Sequence, residues 1–143
     1  MEQTGKGNLL IVDDEEDIRT SLRRHFSFLG YRVSVAEGGA EALEILEQER
    51  IDVVVSDIMM PGMDGSELLK AIKKDWPTIR VVIITGYVTL GNLLEVFRHG
   101  AETCVYKPLS DLSELEGAIE RSFETLRIWQ RKLKELKAMD PGG

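Results

Sequence analysis

The sequence predicts an α/β protein built on one parallel five-stranded sheet, and three observations predict it. Short apolar runs recur five times along the chain. Each is followed by a longer stretch whose apolar residues fall at helical spacing. Three of the runs, NLLIVD, DVVVSD and RVVIIT, are almost wholly apolar, as strands covered on both faces must be.

The elements follow in order. The first strand is expected over 8–13 and the first helix over 15–29, ending where Gly30 supplies a left-handed cap. The second strand, 31–36, reads YRVSVA; its alternation of apolar and polar residues marks an edge. A helix over 39–49 leads to the third strand, 52–57, and a helix over 65–75 is closed by Pro77. The fourth strand spans 79–85, a helix spans 88–99 with Gly100 behind it, and the fifth strand spans 103–106. The last helix runs over 112–139 and leaves Asp140-Pro-Gly-Gly as a terminal linker. Parallel neighbours need crossover connections, which the intervening helices provide.

Composition narrows the class. A chain of 143 residues fits one domain burying roughly 70% of its unfolded surface. Its 43% hydrophobic and 30% charged residues suit a folded protein rather than a disordered one. The net charge of -7 argues against direct nucleic-acid binding, which calls for Lys/Arg surfaces. The lone Cys104 excludes an internal disulfide and a Cys-based zinc site. The first apolar run meets the acids Asp13, Asp14, Glu15 and Glu16 at once, unlike a signal peptide or a membrane span. A cytoplasmic location with no membrane partner is therefore expected.

In a parallel sheet, ligands bind beyond the carboxyl ends of the strands. The first strand ends on Asp13 and Asp14, the third on Asp57, the fourth on Thr85 and the fifth on Lys107. Carboxylates that converge repel one another unless a hard cation sits among them, and Mg²⁺ favours such oxygen sites. Taken singly, each residue has a plain explanation: acids cap helices, Thr is common at strand ends, and a lone Lys is usually solvated. Taken together they suit phosphoryl transfer. Asp57, solitary at its strand end, is the candidate nucleophile; Asp13 and Asp14 are candidate metal holders; Lys107 and Thr85 can bind phosphoryl oxygens.

The motifs LLIVDDEEDIR, VVVSDIMMPGMDG, VVIITGY and YKP, spread from about Leu9 to Phe123, resemble the receiver domain of two-component response regulators. The resemblance implies a flavodoxin-like sheet of order 2-1-3-4-5 and phosphorylation of Asp57 by a sensor histidine kinase or a small phosphodonor. It implies Mg²⁺ held by Asp14, Asp57 and the backbone carbonyl of Met59, with Asp13 acting through water. Thr85 and Lys107 match the switch hydroxyl and the lysine of the family, and the Lys107-Pro108 bond is expected to be cis. The position of the family's switch aromatic, three before the lysine, is Cys104 here; Tyr106 is expected on the opposite face of the strand. Met59 and Tyr87 flank the phosphorylation site and are expected to slow loss of the phosphoryl group. Such a module is a signalling domain that catalyses only its own phosphorylation and dephosphorylation.

Rival classes fit less well. A haloacid-dehalogenase phosphatase wants a second acid two residues after its nucleophile, where this chain has Met59. A flavin-binding flavodoxin would set the acid cluster against a flavin phosphate. A degenerate receiver that dimerises without phosphorylation is the remaining alternative, and the intact acids, Thr85 and Lys107 argue against it.

The domain is expected to span 8–124, with 125–143 a helical extension. Leu112, Ile119, Leu126 and Leu133 recur every seven residues, with Leu115, Ser122, Trp129 and Leu136 three further on, the pattern of a coiled-coil seam. The first half must cover the sheet, which leaves Leu126, Trp129, Leu133 and Leu136 to form a homodimer or to lead into an effector domain. The basic run Arg127, Arg131, Lys132, Lys134 and Lys137 is interrupted by Glu135 and is read as a solvated flank.

Overall fold

The computed structural model of the chain describes residues 5–139, so the Asp140-Pro-Gly-Gly end lies outside the described residues. Five strands, β1 (Asn8–Val12), β2 (Arg32–Ala36), β3 (Val53–Asp57), β4 (Arg80–Thr85) and β5 (Thr103–Tyr106), alternate with five helices. The helices are α1 (Glu16–Phe28), α2 (Gly39–Gln48), α3 (Gly65–Asp75), α4 (Leu90–Arg98) and α5 (Ser113–Met139). All pairings are parallel, in the order β2-β1-β3-β4-β5. The expected architecture, its strand order and the edge position of β2 are thus as the sequence predicts, with ends displaced by a residue or two.

Period-two alternation sorts the central strands into two apolar layers. Leu10, Val12, Val54, Val81 and Ile83 pack in one core with α2, α3 and α4 residues, including Leu46, Leu68, Ile72 and Val96. Leu9, Ile11, Val53, Val55, Val82 and Ile84 pack in the other with Leu22 and Phe26 of α1 and Leu115, Ile119 and Phe123 of α5. All five residues of β3 are buried, Asp57 included. Register fixes where the strands stop: Val12 pairs with Ser56 and Asp57 with Ile84, so the ends of β1, β3 and β4 open at one edge.

Local signals hold the helices around that edge. Gly30 and Gly100 take φ of 107° and 91° behind α1 and α4, the left-handed conformation that ends a helix with least strain at glycine. Asp64 and Glu67 form a reciprocal capping box at the start of α3. The expected 88–99 helix starts two residues later than expected because Thr89 caps it, its hydroxyl accepting from Asn92 N–H at 3.0 Å.

Gly65 opens α3 against the back of the phosphoacceptor-candidate strand: its N–H donates to Ile58 O at 2.9 Å. A Cβ there would collide with the Asp57 carbonyl and lie 2.7 Å from Ile58 Cα, both backbone atoms that have no room to yield. Gly65→Ala is therefore expected to destabilise the protein by about 2 kcal/mol or more, read as a drop in the midpoint of chemical denaturation. An unchanged midpoint would show that the loop can move away at little cost.

Candidate functional site

Asp57 is 4% exposed and Asp13 is fully buried, positions at which an unpaired carboxylate is costly. Lys107, at the end of β5, supplies the counter-charge. Its Nζ donates to Asp57 Oδ2 at 2.8 Å and to Glu15 Oε2 at 2.9 Å. It also lies 2.9 Å from Asp13 Oδ2, but out of hydrogen-bond alignment, so that buried oxygen has no hydrogen-bond partner among the described residues. The other oxygens are held by backbone: Asp57 Oδ1 accepts from Met59 N–H at 3.1 Å, and Asp13 Oδ1 from Glu15 N–H at 2.8 Å.

Electrostatics follow from this geometry. Burial alone would lower the Lys107 pKa; the carboxylates of Asp57, Glu15 and Asp13 outweigh it and hold the ammonium above the ordinary lysine range. Burial pushes the Asp13 carboxyl up, and the Glu15 N–H and Lys107 oppose that push without cancelling it. One carboxylate oxygen from each of Asp13, Asp14, Glu15 and Asp57 lies within 4.8 Å of the others. One ammonium, in contact with three of these acids, serves a cluster of four. An all-oxygen donor set, in which the buried Asp13 Oδ2 has the Lys107 ammonium beside it but no aligned hydrogen bond, fits a small hard cation such as Mg²⁺.

The remaining expected residues divide. Thr85 stands buried at the end of β4, but its hydroxyl is turned to the next loop, donating to Tyr87 O at 2.8 Å and accepting from Tyr87 N–H at 3.2 Å. Met59 is 52% exposed and Tyr87 65%, so the side chains of both stand largely in solvent. The Lys107-Pro108 bond is cis, as expected, and Lys107 N–H donates to Thr85 O at 2.8 Å. Cys104 packs with the α2–α3–α4 core and its neighbour Val105 with the other. The expectation for Tyr106 is corrected by the same alternation: two residues from Cys104, it belongs to the same face of β5, not the opposite one.

Leu126 also departs from expectation. It is buried rather than free to meet another chain, because it lines a cleft with Leu46, Ile51 and Trp76 beneath the sheet. Trp129, Leu133 and Leu136 are more or less half exposed, at 58%, 50% and 59%. Glu15, which the strand-end argument passes over, is the acid that pattern reading missed. Its partner lies 92 positions away, and only the fact that it follows the two strand-end acids could have hinted at it.

A parallel sheet that gathers acids, a hydroxyl and a lysine at one edge defines a class of phosphoryl-handling α/β domains, and comparison with known proteins places the chain within it. Residues 9–120 match the response regulator receiver domain. The chain belongs to this family. It is 41% identical over 113 residues to sporulation initiation phosphotransferase F of Bacillus subtilis (strain 168), covering 79% of this chain and 90% of that protein. It is 38% identical over 117 residues to the DNA-binding transcriptional regulator NtrC of Escherichia coli (strain K12), covering 82% of this chain. The chain spans only a quarter (25%) of the length of that relative. Among solved structures it resembles response regulator TrrA of Thermotoga maritima in complex with Mg(2+)-BeF, with 30% identity, a TM-score of 0.73, and coverage of 81% of this chain and 98% of that one.

The Asp13 shift has a sign that can be tested. A carboxyl whose folded pKa lies above its unfolded value costs stability while ionised, and the cost vanishes as pH falls through the raised value. In metal-free buffer Asp13→Asn is expected to be more stable than wild type at neutral pH, with the gain shrinking toward about pH 4. Urea denaturation across that range measures it; a variant less stable at neutral pH would contradict the assignment.

Proposed function

We propose that this chain is a phosphoacceptor switch of two-component signalling, in which Asp57 takes a phosphoryl group from the phosphohistidine of a partner sensor kinase. The observation that carries this reading is the placement of Asp57, a buried carboxylate at the end of the central strand with one oxygen on Met59 N–H and the other on Lys107 Nζ.

An Asp57 oxygen attacks phosphorus while the phosphorus–nitrogen bond of the donor breaks and the imidazole leaves with the bonding pair. Lys107 follows the developing charge, exchanging a carboxylate for a phosphoryl oxygen. Thr85 rotates its hydroxyl from the Tyr87 carbonyl to another phosphoryl oxygen. Asp14, Asp57 and the Met59 carbonyl would hold Mg²⁺, with Asp13 acting through water; the ion supplies charge neutralisation and in-line positioning. Met59 and Tyr87 then stand over the acyl phosphate and limit the approach of water.

Residues 8–124 form the receiver and 125–143 its extension, helical as far as Met139, through which the switch pairs with a second copy or controls an effector domain. Cys104 in place of a bulky rotor leaves the Thr85–Tyr87 segment as the moving part on this side. The domain signals rather than turning over a free substrate, and it works in the cytoplasm, where the family's sensor kinases present their phosphohistidine.

With Mg²⁺ and acetyl phosphate, the wild-type protein is expected to gain one phosphoryl group by intact mass, and Asp57→Ala none. Equal labelling of both, or of neither, would defeat the proposal. Once phosphorylated, Met59→Asn and Tyr87→Asn variants are expected to lose the group several-fold faster than wild type, on the order of 1 kcal/mol of lost protection; unchanged lifetimes would reduce the two side chains to local packing.

A further inference from the structure

Glu15 occupies the N-cap of α1, where Ser, Thr, Asp or Asn normally bond the first turn, yet its side chain makes no cap hydrogen bond. Its carboxylate reaches instead to the end of β5, where Oε2 accepts from Lys107 Nζ at 2.9 Å. The backbone is set for that reach, since Glu15 N–H is fastened to Asp13 Oδ1 at 2.8 Å. A lysine ammonium has three N–H donors; here it donates to Asp57 and Glu15, and Asp13 Oδ2 lies against it at 2.9 Å as an ion pair. The Glu15 side chain is 61% exposed, against 5% for Asp57 and 0% for Asp13. Of the three, Glu15 is the one that can swing into water without leaving a buried charge behind.

We propose that Glu15 is a displaceable latch on Lys107: in the resting protein it holds an N–H that a phosphoryl oxygen must take over, so it restrains phosphorylation of Asp57. The proposal rests on the phosphoacceptor reading above and assigns a positioning residue to that reaction. Two effects act in the same direction. Lys107 must exchange one oxygen partner for another, and the Glu15 charge at the mouth of the site opposes a donor whose phosphoryl group carries about two negative charges. Because Glu15 is mostly exposed, solvent and salt limit the size of the effect.

The test compares the wild-type chain with Glu15→Gln and Glu15→Ser; serine is a preferred N-cap, so the second variant keeps α1 intact. At saturating Mg²⁺ and low salt, both variants are expected to accept the phosphoryl group of acetyl phosphate about threefold faster than wild type. The advantage is expected to shrink in about 1 M salt, where charges are screened within a few ångströms. Without any phosphodonor, the Lys107 ammonium resonance is expected to broaden in both variants as its protons exchange faster. The affinity for Mg²⁺ alone, from titration of the unphosphorylated protein, is expected to fall no more than about threefold. Rates equal to or below wild type overturn the latch, as does a Lys107 resonance that does not change. A loss of Mg²⁺ affinity of about tenfold or more would instead make Glu15 part of the metal shell. Wild type that takes no label on Asp57 defeats the phosphoacceptor reading itself, whereas normal labelling with an unaltered Lys107 resonance defeats the latch alone.

Discussion

The ammonium of Lys107 is the constraint on which the site depends. It touches Asp57, Asp13 and Glu15 within 2.9 Å, and it is the cation that makes two buried carboxylates at one sheet edge tolerable. One positive charge does not balance the cluster, which also includes Asp14. The fold therefore holds an electrostatic deficit in place, and anything cationic entering relieves it. The rigidity needed to hold that deficit comes from below, where β1, β3 and β4 are clad on both faces by apolar side chains. Strands packed in this way cannot splay to let the carboxylates drift apart.

The same register explains how two residues far apart in sequence work as one device. Thr85 pairs with Tyr106 across the β4–β5 ladder, and Lys107 N–H donates to Thr85 O. The lysine and the threonine are thus fixed to each other by backbone, while their side chains face different partners: Lys107 the acids, Thr85 the Tyr87 loop. In the proposed reaction, a phosphoryl group on Asp57 pulls on both at once. Movement of the Thr85 side chain breaks its bonds to Tyr87, and so couples the site to the segment leading into α4.

Most of this was legible in the sequence for physical reasons. Apolar strands of four to six residues that end in a polar side chain report both burial and exposure at the strand's end, and a parallel sheet gathers such ends on one side. That logic points to Asp13, Asp57, Thr85 and Lys107 from the sequence alone. It could not locate Glu15, whose role depends on where an α1 N-cap side chain turns, a matter of packing and not of periodicity. Leu126 was misplaced for a related reason. A heptad pattern marks residues that want burial, but the cleft beside Trp76 satisfies Leu126 within the domain, whereas Trp129, Leu133 and Leu136 lie past the body's reach. The uninterrupted run of α5 from Ser113 to Met139 carries one pattern across both environments.

Differences in anchoring among the helices indicate where a change at the site would travel. α3 buries Gly65, Leu68, Leu69 and Ile72, and α5 buries six residues from Leu115 to Leu126. α4 buries Val96 alone, while Leu90, Leu94 and Phe97 remain exposed. Displacing α3 would uncover several large side chains at roughly 1.5–3 kcal/mol each. Shifting α4 would disturb Val96 and the partly buried Leu93. The loop that holds the Thr85 hydroxyl leads directly into that helix, so the helix with the fewest buried residues is the one tied to the hydroxyl proposed to switch. Local opening in proteins concentrates where few apolar contacts hold an element down. A small rotation at Thr85 therefore has an inexpensive outlet through α4, and the exposed apolar side chains on that helix are the surface such a movement would rearrange.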